Sequence, residues 1–219
     1  MKANEKLIIF ALVILTLVGS TRAQINKSSD EPTEFIGSVE KNVYLNKYFG
    51  FQVTVPEGWQ PVDSEDKQRA EKVARELFQQ LNEAKGTNYV PPKFTTITLL
   101  YLRKKKLGEK GNSLFRIATT KQPHSKITPL MVAQASRLKV VENPVSANVS
   151  EIKETKISGK NFAYVEYDVI SNPASILRNR HFVTVLREHS IGITISFHTD
   201  EEGKYLEGLV RSISFNESH

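Results

Sequence analysis

His181 and His198 are the two side chains whose types and spacing come nearest to a metal pair. Both fall in a stretch, Arg178 to Glu188 followed by Ile191 to His198, that alternates like a β-hairpin. With His189 and Ser190 as the turn, Leu186 faces Ile193, Thr184 faces Ile195, Phe182 faces Phe197 and His181 faces His198. Side chains opposed on neighbouring strands stand close enough to share an ion. Two imidazoles supply half of a tetrahedral zinc site, and the sequence offers no obvious third ligand. The plainer reading is two polar histidines on the less buried face. No metal is therefore assigned, and His181 and His198 stand as candidates only. Together with Glu188 they also form a scattered set from which a hydrolase-type site would have to be built.

Other chemistry finds less support. The chain has no Gly-x-Ser-x-Gly nucleophile turn, no His-Glu-x-x-His zinc helix, and neither of the Gly-rich phosphate loops. It has no cysteine, which removes disulfides and thiolate metal sites. No cofactor is expected. The run Asp200-Glu201-Glu202 reads as the acidic start of a helix, where the N-terminal dipole favours carboxylates. Arg103, Lys104, Lys105 and Lys106, continuing to Lys110, form a basic loop. Its first reading is a solvated hairpin loop, since no aromatic interleaves with it. Its alternative is contact with an anionic surface. Trp59, near Pro61, reads as a core anchor rather than a stacking platform for a ligand.

These residues need elements to hold them. The chain has 219 residues, 39% hydrophobic and 25% charged, which is the composition of a folded globular protein. Lys2 and Lys6, the apolar run Leu7 to Val18, and the small exit Gly19, Ser20, Thr21 and Ala23 have the layout of a secretory signal peptide. The run is too short for a membrane span, which needs about 20 apolar residues. Cleavage after Ala23 is expected, with a secreted or periplasmic product. It removes Lys2, Lys6 and Arg22 but only Glu5, so the formal charge falls from +6 to +4. That mild excess argues against a dedicated nucleic-acid surface. Asn26, Asn148 and Asn216 each open an Asn-x-Ser sequon, of consequence only in a eukaryotic secretory pathway.

Residues 24–40 are polar and aperiodic and read as a flexible N-terminal segment. One domain then spans residues 41–215, followed by a tail at 216–219. Strands are predicted at 43–46, 51–55, 95–103, 114–120, 149–157, 162–170, 178–188 and 191–198. Helices are predicted at 64–85, 128–140 and 200–213. The second places Leu130, Met131, Ala133, Ala135 and Leu138 on its apolar side. Gly203 and Gly208 weaken the third. Hairpins with interspersed helices give an α+β chain: a mostly antiparallel sheet with helices on both faces, an α/β/α sandwich.

The stretch Asn46-Lys-Tyr-Phe-Gly50-Phe51-Gln-Val53-Thr-Val55-Pro56-Glu-Gly58-Trp59 resembles the opening of PsbP-like domains. The ending Leu206-Glu-Gly-Leu209-Val210-Arg-Ser212-Ile213-Ser-Phe215 is similar to their closing helix and tail. The resemblance covers residues 41–215 and rests on short core motifs. It implies a fold shared by photosystem extrinsic subunits, Ran-binding Mog proteins and secreted bacterial domains of unknown role. Such domains bind proteins or assist assembly and generally are not enzymes. The leader disfavours a nuclear Ran-binding role. The resulting expectation is a non-catalytic extracytoplasmic domain with a protein partner, no nucleic acid, and no membrane anchor after cleavage. The alternatives are a hydrolase-type enzyme and anionic-surface binding through residues 103–110.

Overall fold

A computed structural model describes residues 35–62, 96–105, 111–123, 126–143, 146–172 and 175–216. The leader, the expected helix at 64–85, Lys106 to Lys110 and the sequon at Asn26 lie outside the described residues.

Twelve strands and two helices are described. In chain order they are β1 (Ser38–Glu40), β2 (Val43–Asn46), β3 (Phe51–Thr54), β4 (Gln60–Pro61), β5 (Thr96–Arg103), β6 (Leu114–Lys121), α1 (Pro129–Glu142), β7 (Ser146–Ala147), β8 (Lys153–Ile157), β9 (Lys160–Asn172), β10 (Ser175–Leu186), β11 (His189–Phe197), α2 (Asp200–Arg211) and β12 (Ser214–Phe215). They form a four-stranded sheet, β1-β2-β3-β12, and an eight-stranded sheet, β4-β5-β6-β11-β10-β9-β7, with β8 also paired to β9. Every described pairing is antiparallel.

Alternation explains the small sheet. Phe51 and Val53 of β3 are buried while Gln52 and Thr54 face water. The main core lies between this sheet, α2 and one face of the large sheet. Tyr44, Phe51, Phe115, Ile117, Phe182, Ile195 and Leu206 are all buried in it. Val183, next to Phe182 along β10, points to the opposite face and packs with Ala163 and Ala133 of α1.

Each helix starts on a threonine. Thr128 caps α1 by accepting from the Met131 amide, with Pro129 in the first turn. Thr199 and Glu202 form a reciprocal capping box at α2, and Asp200 and Glu201 sit at its positive end.

Four expectations change. β1 falls within the stretch 24–40 read as flexible: Phe35 packs against the core, and the Asn46 side-chain amide donates to the Phe35 carbonyl at 2.8 Å. An edge strand whose three residues are all exposed carries no periodic signal. In α1, Leu130, Met131 and Leu138 are exposed and Ala133 alone is fully buried. The strand expected from residue 149 starts only at Lys153. The hairpin turn is Arg187-Glu188, two residues earlier than expected, because Leu186 pairs with His189.

Candidate functional site

The shifted turn separates the two histidines. His181 pairs with Thr194, four positions from His198 along the chain. His181 Nδ1 and Thr194 Oγ1 share a hydrogen bond of 2.9 Å. His198 lies past the end of β11, with Nδ1 at 3.2 Å from the Ile176 carbonyl oxygen. The opposed pair is therefore corrected: the structure does not bring His181 and His198 together. Among the described residues no three of His, Cys, Asp or Glu cluster as a metal site. Glu188 is an exposed turn residue at φ 61° and joins neither histidine.

The basic loop is also divided. Arg103 is buried at the end of β5, opposite Leu114, and is withdrawn from the surface set. Lys104 and Lys105 are exposed, and Lys106 lies outside the described residues. Lys104 borders a small cleft of about 260 Å³ that Trp59, Glu201 and Glu202 also line, so carboxylates stand beside it. Trp59 itself is buried in the main core, its ring stacked near Tyr205.

The structure assembles a different site around His181. One row across β5, β6, β11, β10 and β9 reads Tyr101, Arg116, Thr194, His181 and Val165. The next row reads Thr98, Ala118, Gly192, Val183 and Ala163. Side chains in register on an antiparallel face stand side by side. A row of small residues beside a row of large polar ones leaves a hollow. A β-bulge between Thr98 and Leu100 sets this arrangement, since it keeps both Thr98 and Tyr101 on the hollow's side.

The result is a cavity of about 480 Å³ between this face and α1. Volumes of this size hold small molecules. Its floor includes Arg116, Tyr167, His181 and Thr194, and its roof includes Val132, Ala135, Lys139 and Val140. The roof residues recur at three- and four-residue spacing, the spacing of one helix face. Lys121 and Gln122 border the cavity, and Gln122 Nε2 donates to Ser190 Oγ at 2.7 Å. No carboxylate is among the described residues that line it.

The charged side chains among the described residues that line the cavity are all basic. Arg116 is buried, and its Nη2 donates to Thr98 Oγ1 at 3.0 Å. Burial lowers its pKa from the usual value, while Tyr101 and Tyr167 act to raise it. An arginine still keeps its charge in such surroundings. Burial lowers Lys139 as well. Burial first, then the charges of Arg116 and Lys139, bring His181 down to about 4. His181 is thus neutral at pH 7, and it registers both cations. Tyr167 is pushed up by burial and stays a neutral hydroxyl.

Sequence reasoning singled out His181 but missed Arg116, Lys139 and Tyr167. An arginine inside the apolar strand Leu114 to Thr120 was the one signal that pointed to them.

No family model matches the chain, and no curated protein matches it in sequence. Solved structures do. The solution structure of cyanobacterial PsbP from Synechocystis sp. PCC 6803 is similar with a TM-score of 0.51 and 13% identity, over 90% of this chain and 98% of that one. LpqN, involved in cell envelope biogenesis of Mycobacterium tuberculosis, gives a TM-score of 0.44 at 8% identity, over 76% of this chain and 83% of its own. The Ran-binding protein Mog1p of Saccharomyces cerevisiae gives 0.42 at 10% identity, over 81% of this chain and 96% of its own. The chain has a PsbP-like fold, as its opening and closing motifs imply. Fold does not carry function with it. Among the described residues no helix is long and apolar enough to cross a membrane.

Proposed function

We propose that this chain is an exported, non-catalytic binding domain built on a PsbP-like α/β/α sandwich. The leader-like residues 1–23 support export. The cavity beneath α1 carries the binding reading: it offers hydrogen-bond donors, two inner cations and an apolar roof. A binding site needs these groups, whereas catalysis also needs a nucleophile or a base aimed at a reacting atom. The nearest base, His181, is occupied by Thr194.

The test is thermal unfolding of the protein with fractionated cell-envelope extract. A fraction that raises the melting temperature of the parent but not of Ala135→Trp, which fills the cavity, supports the reading. No stabilising fraction counts against it. Recovery of the stabilising component chemically altered would make the protein an enzyme instead.

A protein partner is the second reading. Leu130, Leu138 and Val141 project from the outer side of α1, between 38% and 60% exposed. A contiguous apolar patch is a common mark of an interaction surface. Leu138→Glu is expected to abolish co-purification of such a partner while leaving the cavity intact.

A further inference from the structure

We propose that the cavity beneath α1 takes one extended, unbranched hydrocarbon chain, laid along the strands. This rests on reading the cavity as a binding site, and it names the chemistry of the part that fills it.

Register sets the shape. Thr120, Ala118 and Arg116 of β6 line the floor at two-residue steps, and Tyr167 of β9 lines it in the row of Leu114. From the Thr120 row to the Leu114 row is about 20 Å of strand. The roof has a similar length. Met131, Ala135, Lys139 and Asn143 recur at every fourth residue, over about 18 Å of helix. Val132 packs with Ala163 and Val183 in the Ala118 row, and Val140 packs on the cluster that holds Leu114 and Tyr167. The helix axis therefore follows the strands, and the cavity is long. About 480 Å³ spread over about 20 Å leaves a mean cross-section of about 24 Å². One extended hydrocarbon chain fits that section, and a fused-ring system does not.

The wall's own hydrogen bonds set the chemistry. Thr96 Oγ1 and Thr120 Oγ1 share a bond of 2.9 Å, Gln122 Nε2 donates to Ser190 Oγ at 2.7 Å, and His181 Nδ1 and Thr194 Oγ1 stand 2.9 Å apart. Arg116, Lys139 and Asn143 also interact with the rest of the chain. The backbone of the floor is committed to the β6–β11 and β10–β11 ladders. A peptide or an oligosaccharide laid here would give up water for few new hydrogen bonds. The donors left over suffice for one polar end of a ligand, not for polar groups along its whole length. Between the polar rows lie Ala118, Gly192 and Val183, beneath Val132 and Ala135 of the roof. Met131 and Ala135 line the cavity and are exposed, so apolar surface there stands open to water. A hydrocarbon chain gains by covering that surface and asks no hydrogen bond of the wall.

Isothermal titration and amide chemical-shift mapping test this with hexyl, octyl and decyl maltoside below their micelle concentrations, and with maltose as the control. Affinity is expected to rise about fourfold per added methylene, with no binding of maltose. The floor amides of Ala118 and Gly192 are expected to shift, which reports the site in the parent protein without any variant. Cyclohexylhexyl maltoside carries more carbon than decyl maltoside but ends in a ring, and is expected to bind about tenfold weaker. Ala135→Trp is expected to weaken decyl maltoside at least about tenfold, and Leu138→Glu, on the outer side of α1, to leave it unchanged. The reverse pattern in the two variants overturns the proposal, and so does affinity independent of chain length or equal binding of the cyclohexyl probe. If no probe shifts the floor amides while an envelope fraction still stabilises the parent and not Ala135→Trp, the chain assignment fails and the binding reading stands. If that stabilisation is missing as well, the binding reading fails with it.

Discussion

His181 occupies the space that a side chain at Gly192 would need: a Cβ added at residue 192 would stand 2.9 Å from the imidazole Cε1. The glycine is thus part of the cavity floor by what it lacks. Gly192→Ala is expected to push the ring away from Thr194 and break their hydrogen bond. The expected loss is about 1–2 kcal/mol in urea unfolding. The same change made on His181→Ala should cost much less, because the clash is gone. Equal losses in the two backgrounds would show that the contact does not set the requirement for glycine.

Acid should lower the stability of the fold through two groups that act in different pH windows. His181 has its pKa lowered from 6.5 to about 4, first by burial and then by Arg116 on β6 and Lys139 on α1. Above pH 6.5 the ring is neutral folded or unfolded and contributes no slope. As pH falls from 6.5 to about 4, the unfolded chain takes up a proton that the folded one refuses, so stability drops. The slope is at most about 1.4 kcal/mol per pH unit, and less for a ring that borders a cavity. His181→Gln is expected to flatten that window.

Glu166 governs the lower window. Burial raises its carboxyl, but Lys153 and Arg180 outweigh burial and hold it below its usual 4.5. It contributes stability above that value and loses it as pH falls through the lowered one. Arg180 joins Glu166 of β9 to Glu207 of α2, each at 2.5 Å, so the pair ties the sheet to the helix. Glu166→Gln is expected to cost about 1 kcal/mol at pH 7 and to flatten only the part of the acid curve below 4.5. A flattened window above pH 5 would assign the effect elsewhere.

Two glycines of α2 should respond in opposite directions. A Cβ at Gly203 would stand 2.6 Å from the Phe197 ring, whereas Gly208 has open space around it. Gly208→Ala is expected to stabilise by about 0.5–1 kcal/mol, the ordinary helical gain. Gly203→Ala has the same helical gain but must displace a buried ring, with an expected net loss of about 1–3 kcal/mol. Melting temperatures of the two variants, measured side by side, check both signs.

The sequence made the faces of the long hairpin legible but not its register. Sliding the turn from 189–190 to 187–188 moves each partner by four residues, which keeps every side chain on its own face. Phe182, Ile193, Ile195 and Phe197 are therefore buried as expected, while the histidine pairing dissolves. The turn was hidden because Arg187 and Glu188 adopt positive φ, 49° and 61°, without the Asn or Gly that usually marks such a turn. The apolar side of α1 was illegible for another reason. Apolar residues surround that helix, so no stripe says which side is covered. The cavity was the least accessible, because Ala118, Ala163, Val183 and Gly192 become neighbours only through pairing across four strands.

The irregular step between Thr98 and Leu100 has a consequence for how this protein can vary. Removing a single residue there would let β5 zip onto β6 without interruption, and the backbone would look more regular for it. Every partner would nevertheless stay the same, Thr98 with Ala118 and Tyr101 with Arg116, because residues now three apart would then stand two apart on one flank. The spare residue is thus dispensable to the cavity wall, whereas a gain or loss elsewhere along β5 would turn one flank over, so homologous sequences can carry a gap at that point.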